Sequence, residues 1–284
     1  GHAEVCAPVV ERRADGPLPH GQVRLLVDRS AELVGEVPPP APGGPWGSLV
    51  GGLLGIPEVG SMDGQQASAG RIGDRAGVTA GFRQHYYALV GAVHERSGPR
   101  DRRPPLVTTS SVDPLHSRWS TTTCRFDGRR WALPVVDLAA VSVVDPVVGA
   151  WLEARHRPKL LVATQTTVVE VVADPAGDMV PLTPLVVVEP EPEELWHLAA
   201  ALSAPAVSAM AARLSVGAAR SAGRIKLSAR QVADLPVPTD RTAWDEGAGL
   251  AMALHEAGRT ATQEAWLEFG ETMGRAYETP DGDL

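Results

Sequence analysis

Residues 157–190 read RPKLLVATQTTVVEVVADPAGDMVPLTPLVVVEP, and this stretch decides the fold class. Pro158 fixes its own φ and sets an extended start. Leu160, Leu161 and Val162 form one run; Val168, Val169, Val171 and Val172 form a second, rich in β-branched residues. The polar Gln165, Thr166 and Thr167 lie between them. Asp174-Pro175-Ala176-Gly177-Asp178 predicts a turn, because Pro presets φ and Gly permits φ > 0. A third run, Leu185 to Val188, follows. The stretch predicts a meander of short strands, too continuous in apolar residues for a solvent-facing sheet.

Downstream, residues 193–214 predict a helix with acids at its start and Arg213 near its end, split by Pro205. Residues 217–223 are a small-residue loop and 224–227 a short strand. Ser228 caps a helix that Pro236 and Pro238 stop. A last helix is expected over 242–277, with Ala257, Ala261, Ala265, Phe269, Met273 and Tyr277 on one stripe. Upstream, residues 133–138 and 147–155 lead into the central stretch. Residues 125–131 predict a strand pair around Asp127-Gly128, and 105–109 a strand, with a turn at 112–114. Residues 72–74 predict a turn and 76–79 a strand. Gly81 permits an unusual backbone angle or a close approach of neighbouring chain. Residues 5–10 and 22–27 suggest a hairpin, and 46–56 a short helix. Between them PPPAPGGP, residues 38–45, reads as a linker.

The expectation is therefore an α/β (α+β) fold: a twisted, mostly antiparallel sheet with packed helices, plus a long C-terminal helix. Three parts follow: an N-terminal hairpin and Pro-rich linker (1–45), a main domain (46–240), and a C-terminal spacer or docking helix (241–284).

A chain of 284 residues with 44% hydrophobic content can bury a sizeable core. Cys6 and Cys124, far apart, argue against a disulfide framework and fit a reducing cytoplasm. No stretch reaches the ~18 unbroken apolar residues of a membrane span, and no signal-peptide pattern is visible, so no membrane partner is expected. Asparagine is absent, and Lys159 and Lys226 are the only lysines. The net charge of −8 speaks against a generic nucleic-acid binder. Its distribution softens that, because residues 240–284 carry −7 of it. Residues 96–131 hold eight arginines against Asp101, Asp113 and Asp127.

Several chemistries lack their signatures. Neither lysine follows a glycine, so there is no phosphate-binding GK[ST] loop; GxGxxG and GxSxG are also absent. The histidines lack HExxH spacing and the cysteines form no CxxC pair, so a dedicated metal site is not expected. Asp74, Asp113 and Asp137 have turn or cap roles available.

Three segments resemble a known family. Arg71-Ile72-Gly73-Asp74-Arg75-Ala76-Gly77-Val78, through Gly81 and Tyr87, is similar to the L-G-D-x-A-x-[VI]…G…F opening of target-recognition domains in restriction–modification systems. Pro158-Lys159-Leu160-Leu161-Val162 is similar to their KPKIIV strand block. Leu198 to Pro205, then Gly217, Ile225-Lys226-Leu227-Ser228 and Leu235-Pro236-Val237-Pro238, resemble their LLALLNS…G…IKxSxLxxLPIP ending. The resemblance covers roughly residues 65–240 and points to the C-terminal specificity domains of adenine-N6 DNA methyltransferases.

It implies sequence-specific recognition of double-stranded DNA and a catalytic methyltransferase domain or subunit as partner. It also implies S-adenosylmethionine in that catalytic part, and no cofactor in this chain. The Asn/Asp-Pro-Pro-aromatic segment that such methylation needs is absent here, so the resemblance extends to the reading head alone. Residues 1–35 would then be the last hairpin of such a catalytic domain. A stand-alone specificity subunit acting in trans is the second reading; an enzyme of unrecognised chemistry is the third.

The candidate DNA-binding residues are Arg83, Gln84, His85, Arg100, Arg102, Arg103, Arg118, Arg125, Arg129, Arg130, Gln165 and Lys226. Arginine neutralises phosphate and can also pair bidentately with guanine. Arg100, Arg102 and Arg103 sit in a Pro/Gly-bounded loop suited to backbone phosphates. Arg118, Arg125, Arg129 and Arg130 flank a β-hairpin, a shape that fits the major groove. The competing reading is a solvated arginine face.

Overall fold

A computed structural model describes residues 21–27, 30–37, 51, 56–57, 59, 70–81, 83–215 and 224–278. In chain order the strands are β1 (Gly21–Val27), β2 (Ser30–Val37), β3 (Ala76–Ala80), β4 (Val93–Glu95), β5 (Leu106–Val107), β6 (Val112–Asp113) and β7 (His116–Ser117). Then come β8 (Cys124–Phe126), β9 (Arg129–Trp131), β10 (Pro134–Val136), β11 (Lys159–Ala163), β12 (Glu170–Asp174), β13 (Val180–Pro181) and β14 (Val186–Pro190). The fold is mixed α and β, with mostly antiparallel strands in sheets, packed helices and a helical C-terminal segment.

The 157–190 stretch supplies three of the four strands of the main sheet, whose order is β12-β11-β14-β3 with every neighbour antiparallel. Strand side chains alternate between two apolar environments. Leu160, Val162, Val171, Ala173, Val186 and Val188 face the helices. Leu161, Ala163, Val172 and Val187 face the opposite way, onto Val107 and Val112. Burying each Val or Leu stabilises by roughly 1.5–3 kcal/mol. Apolar faces on both sides cannot by themselves pin the strand register, since a one-residue slip exchanges one for the other. Lys159 and Asp174 supply the missing constraint. They are cross-strand partners in the ladder, and both are almost wholly buried in a 2.6 Å ion pair. A slip would leave a buried charge without its partner.

The helical layer is Leu195–Ser203, Pro205–Ser215, Arg241–Ala257 and Gln263–Ala276. Pro205 opens its own helix, and the pair bends by 59° at that break. Among the described residues no single helix is long and apolar enough to cross a membrane. The single helix expected over 242–277 is two helices. Gly258 takes φ 53 between them, and a 3-10 turn, Gly258–Thr260, reverses the chain. Nor is this segment set apart as a spacer. Trp244, Phe269, Met273 and Tyr277 lie in the same core as the main sheet. The Tyr277 hydroxyl donates to the carbonyl of Pro236 at 3.0 Å.

A smaller lobe covers the other face of the sheet. Its core holds Leu89, Leu106, Phe126, Val136, Val141, Val148 and Leu152. Helix Leu138–Val144, unforeseen in the sequence, is capped by Asp137, whose side chain accepts from Ala140 N–H at 3.0 Å. Strand β10 pairs with β4, and the parallel pair β5–β13 joins the lobe to the chain leading into β14. The hairpin placed at residues 5–27 differs: β1 pairs with the immediately following β2, while residues 5–10 lie outside the described set, as do most of 46–56.

Candidate nucleic-acid interface

The β8–β9 hairpin carries the exposed arginines. Its two-residue connection is Asp127-Gly128, with φ 49 and 70. Positive φ at both positions is the type I′ geometry that matches strand twist, and Asp-Gly adopts it readily. Alternation then sorts the side chains. Cys124 and Phe126 are buried while Arg125 points out. The ladder sets Arg125 directly opposite Arg130. Like charges in that position repel, and no carboxylate lies within ion-pair distance of either among the described residues. Tyr86 fastens the hairpin from below: its ring packs on Phe126 with centroids 4.9 Å apart, and its hydroxyl accepts from Asp127 N–H at 3.1 Å.

Arg125 and Arg130 line a cleft of about 520 Å³ together with the hydroxyl-bearing Tyr86, Thr108, Thr109, Ser110, Thr123 and Thr183. Thr108 Oγ1 lies 2.9 Å from Ser110 Oγ and 3.2 Å from Ser111 Oγ. Among the described residues no acidic side chain lines the cleft. Sequence reasoning missed these hydroxyls. The signal available was the pair of hydroxyl-rich runs, residues 108–111 and 120–123, flanking the hairpin.

The other candidates divide. Arg100 and Arg102 are exposed in a loop closed by Asp101, which accepts from Ser97 N–H at 3.1 Å. Arg103 is committed inward: its guanidinium makes two hydrogen bonds to Asp101, at 2.9 and 2.6 Å. These hold the Asp101 carboxyl well below the usual carboxylate range and raise Arg103. Arg118 is also committed, donating to Val112 O at 3.0 Å and lying 3.8 Å from Asp113. Arg118 therefore already has partners within the chain, unlike Arg125 and Arg130 among the described residues.

Gln84 and His85, which the sequence following Gly81 places in a loop, lie on helix Arg83–Leu89. Gln84 is exposed. His85 is buried against Trp151, ring centroids 4.1 Å apart, and burial lowers its pKa, with Arg155 adding to the effect. At 5% exposure the His85 side chain is almost wholly enclosed by protein. The Arg83 side chain lies outside the described set. Gln165 and Lys226 are exposed and adjacent, because Ile225 N–H donates to Thr166 O and Leu227 N–H to Thr164 O. Arg224 joins them, donating to Gln165 O at 3.4 Å. These three are apart from the hairpin cleft, none of them lining it.

The three family-like segments are brought together. Ile72 N–H donates to Leu235 O at 2.9 Å and Val237 N–H to Gly70 O at 3.1 Å, so the first segment clasps the third. Strand β3 of the first lies beside β14, which lies beside β11 of the second. Gly73 has a spatial reason: a Cβ there would come within 3.0 Å of Ala233 Cβ. At Gly81 a Cβ would run into Thr183 Oγ1.

Among the described residues no group of three His, Cys, Asp or Glu could hold a metal ion. Compared with known proteins, the chain matches no family model and none of the curated proteins.

Proposed function

We propose that this chain reads double-stranded DNA in a sequence-specific manner. In this reading it is the specificity part of an adenine-N6 DNA methyltransferase in a restriction–modification or phage-defence system of the cytoplasm. S-adenosylmethionine would be held by a catalytic methyltransferase domain or subunit that partners it. The observation that carries the reading is the type I′ hairpin with Arg125 opposite Arg130, both exposed and without a carboxylate partner among the described residues. A twisted two-stranded ribbon fits the major groove, and unpaired arginines on it are ready for an anionic partner. The clasp between residues 70–72 and 235–237 supports it further, since separated family-like segments meet in one unit.

The test is selection from a randomised duplex pool at about 50 mM salt, where phosphate contacts are strongest. A recovered consensus is the expected result. A pool that emerges without enrichment overturns the proposal.

A further inference from the structure

We propose that the cleft beneath the 124–131 hairpin is a phosphate-binding site whose ligand is a phosphodiester group. The physiological source of that group rests on the DNA reading above; the chemistry of the cleft does not. Two guanidinium side chains, Arg125 and Arg130, converge on it from facing strands. Their mutual repulsion favours an anion between them. Thr123 adds a hydroxyl that can donate to oxygen, and of the mutually bonded Thr108 and Ser110 one hydroxyl hydrogen is left to do the same. Tyr86 contributes a further donor, because its oxygen already accepts from Asp127 N–H and its own hydrogen remains to give. Among the described residues that line the cleft none is a carboxylate, so no acidic side chain competes there for the two guanidinium groups.

A tetrahedral phosphate, with several acceptor oxygens, uses such a spread of donors more fully than a planar carboxylate does. The consequence for DNA reading is a change of role. Arg125, which sequence reasoning assigns to a base, becomes a positioning contact on the backbone, paired with Arg130. Exposed Arg129 of the same hairpin, which does not line the cleft, is left for base contact.

The experiment uses the whole chain in two arms. In the first, inorganic phosphate is titrated calorimetrically at fixed ionic strength, with acetate as control. The expected result is phosphate binding that falls by about tenfold or more in Arg125→Gln/Arg130→Gln and is unchanged in Arg230→Gln, an exposed arginine that does not line the cleft. Circular dichroism and thermal unfolding establish that the variants are folded; Thr123→Val gives a second, milder variant expected to weaken binding. In the second arm, a random-sequence duplex replaces phosphate. Phosphate binding that needs both arginines, without duplex binding, supports the cleft and removes the DNA reading. Duplex binding that survives in the double variant, with no phosphate binding, overturns the cleft and leaves the DNA reading standing. Equal binding of acetate and phosphate also overturns the cleft.

Discussion

Lys159 is the only fully buried lysine, and its environment explains why it is tolerated. Asp174 lies 2.6 Å away, and Gly177 O accepts a second bond at 2.9 Å. Asp174 in turn takes N–H bonds from Gly177 and Met179 at 2.9 and 2.8 Å, so one carboxylate fastens both the lysine and the 174–178 turn. Lys159→Met should cost about 3–5 kcal/mol, since it strands a buried carboxylate. Urea unfolding checks it, and a loss below about 1 kcal/mol would show the pair to be dispensable. The strands around this lysine were legible in the sequence, but the lysine's role was not, because a Lys–Asp pairing 15 residues apart depends on register. The histidines give a pH prediction. His85 and His116 have pKa values lowered first by burial. An unfolded imidazole titrates near 6.5. As pH falls through that value the unfolded chain takes up protons that the folded chain does not, so stability present above about 6.5 is lost below it. The urea midpoint should fall between about pH 7.5 and 5.5, and His85→Phe should flatten that fall. An unchanged profile in the variant would remove His85 from the account.

At the scale of elements, the C-terminal helices matter most. Trp244 is buried at 1% exposure, its Nε1 donates to His197 O at 2.7 Å, and Arg75 and Arg241 lie over its ring. Trp244→Ala should destabilise by about 3–5 kcal/mol. Truncation before Arg241 also removes Phe269, Met273 and Tyr277 from the core, and should abolish cooperative unfolding; a truncated chain with a sharp transition would make the segment a separable unit after all. The break at Gly258 was illegible because the apolar stripe continues through it in sequence. What reverses the chain is a left-handed glycine, and a Cβ there would lie 3.0 Å from the His116 ring. Pro205 and Asp127-Gly128 were legible because each acts through its own backbone. The cleft was not: its hydroxyls come from four separate segments, and only the tertiary fold gathers them.

For the whole molecule, the question is how a chain of net charge −8 could bind a polyanion. The charge is segregated. Arg100, Arg102, Arg125, Arg129 and Arg130 are exposed on the smaller lobe, whereas the C-terminal helices carry Glu246, Glu268 and Glu271 around a separate groove. Affinity set by local phosphate contacts falls with salt by a slope of about 0.9 per contact, whatever the net charge. The most direct measurement of the central claim is therefore the dependence of duplex affinity on salt concentration, for the whole chain and for Arg125→Gln/Arg130→Gln. The predicted result is a steep negative slope that becomes shallower by roughly one to two units in the double variant. Affinity independent of salt, or a slope identical in the two proteins, would contradict it.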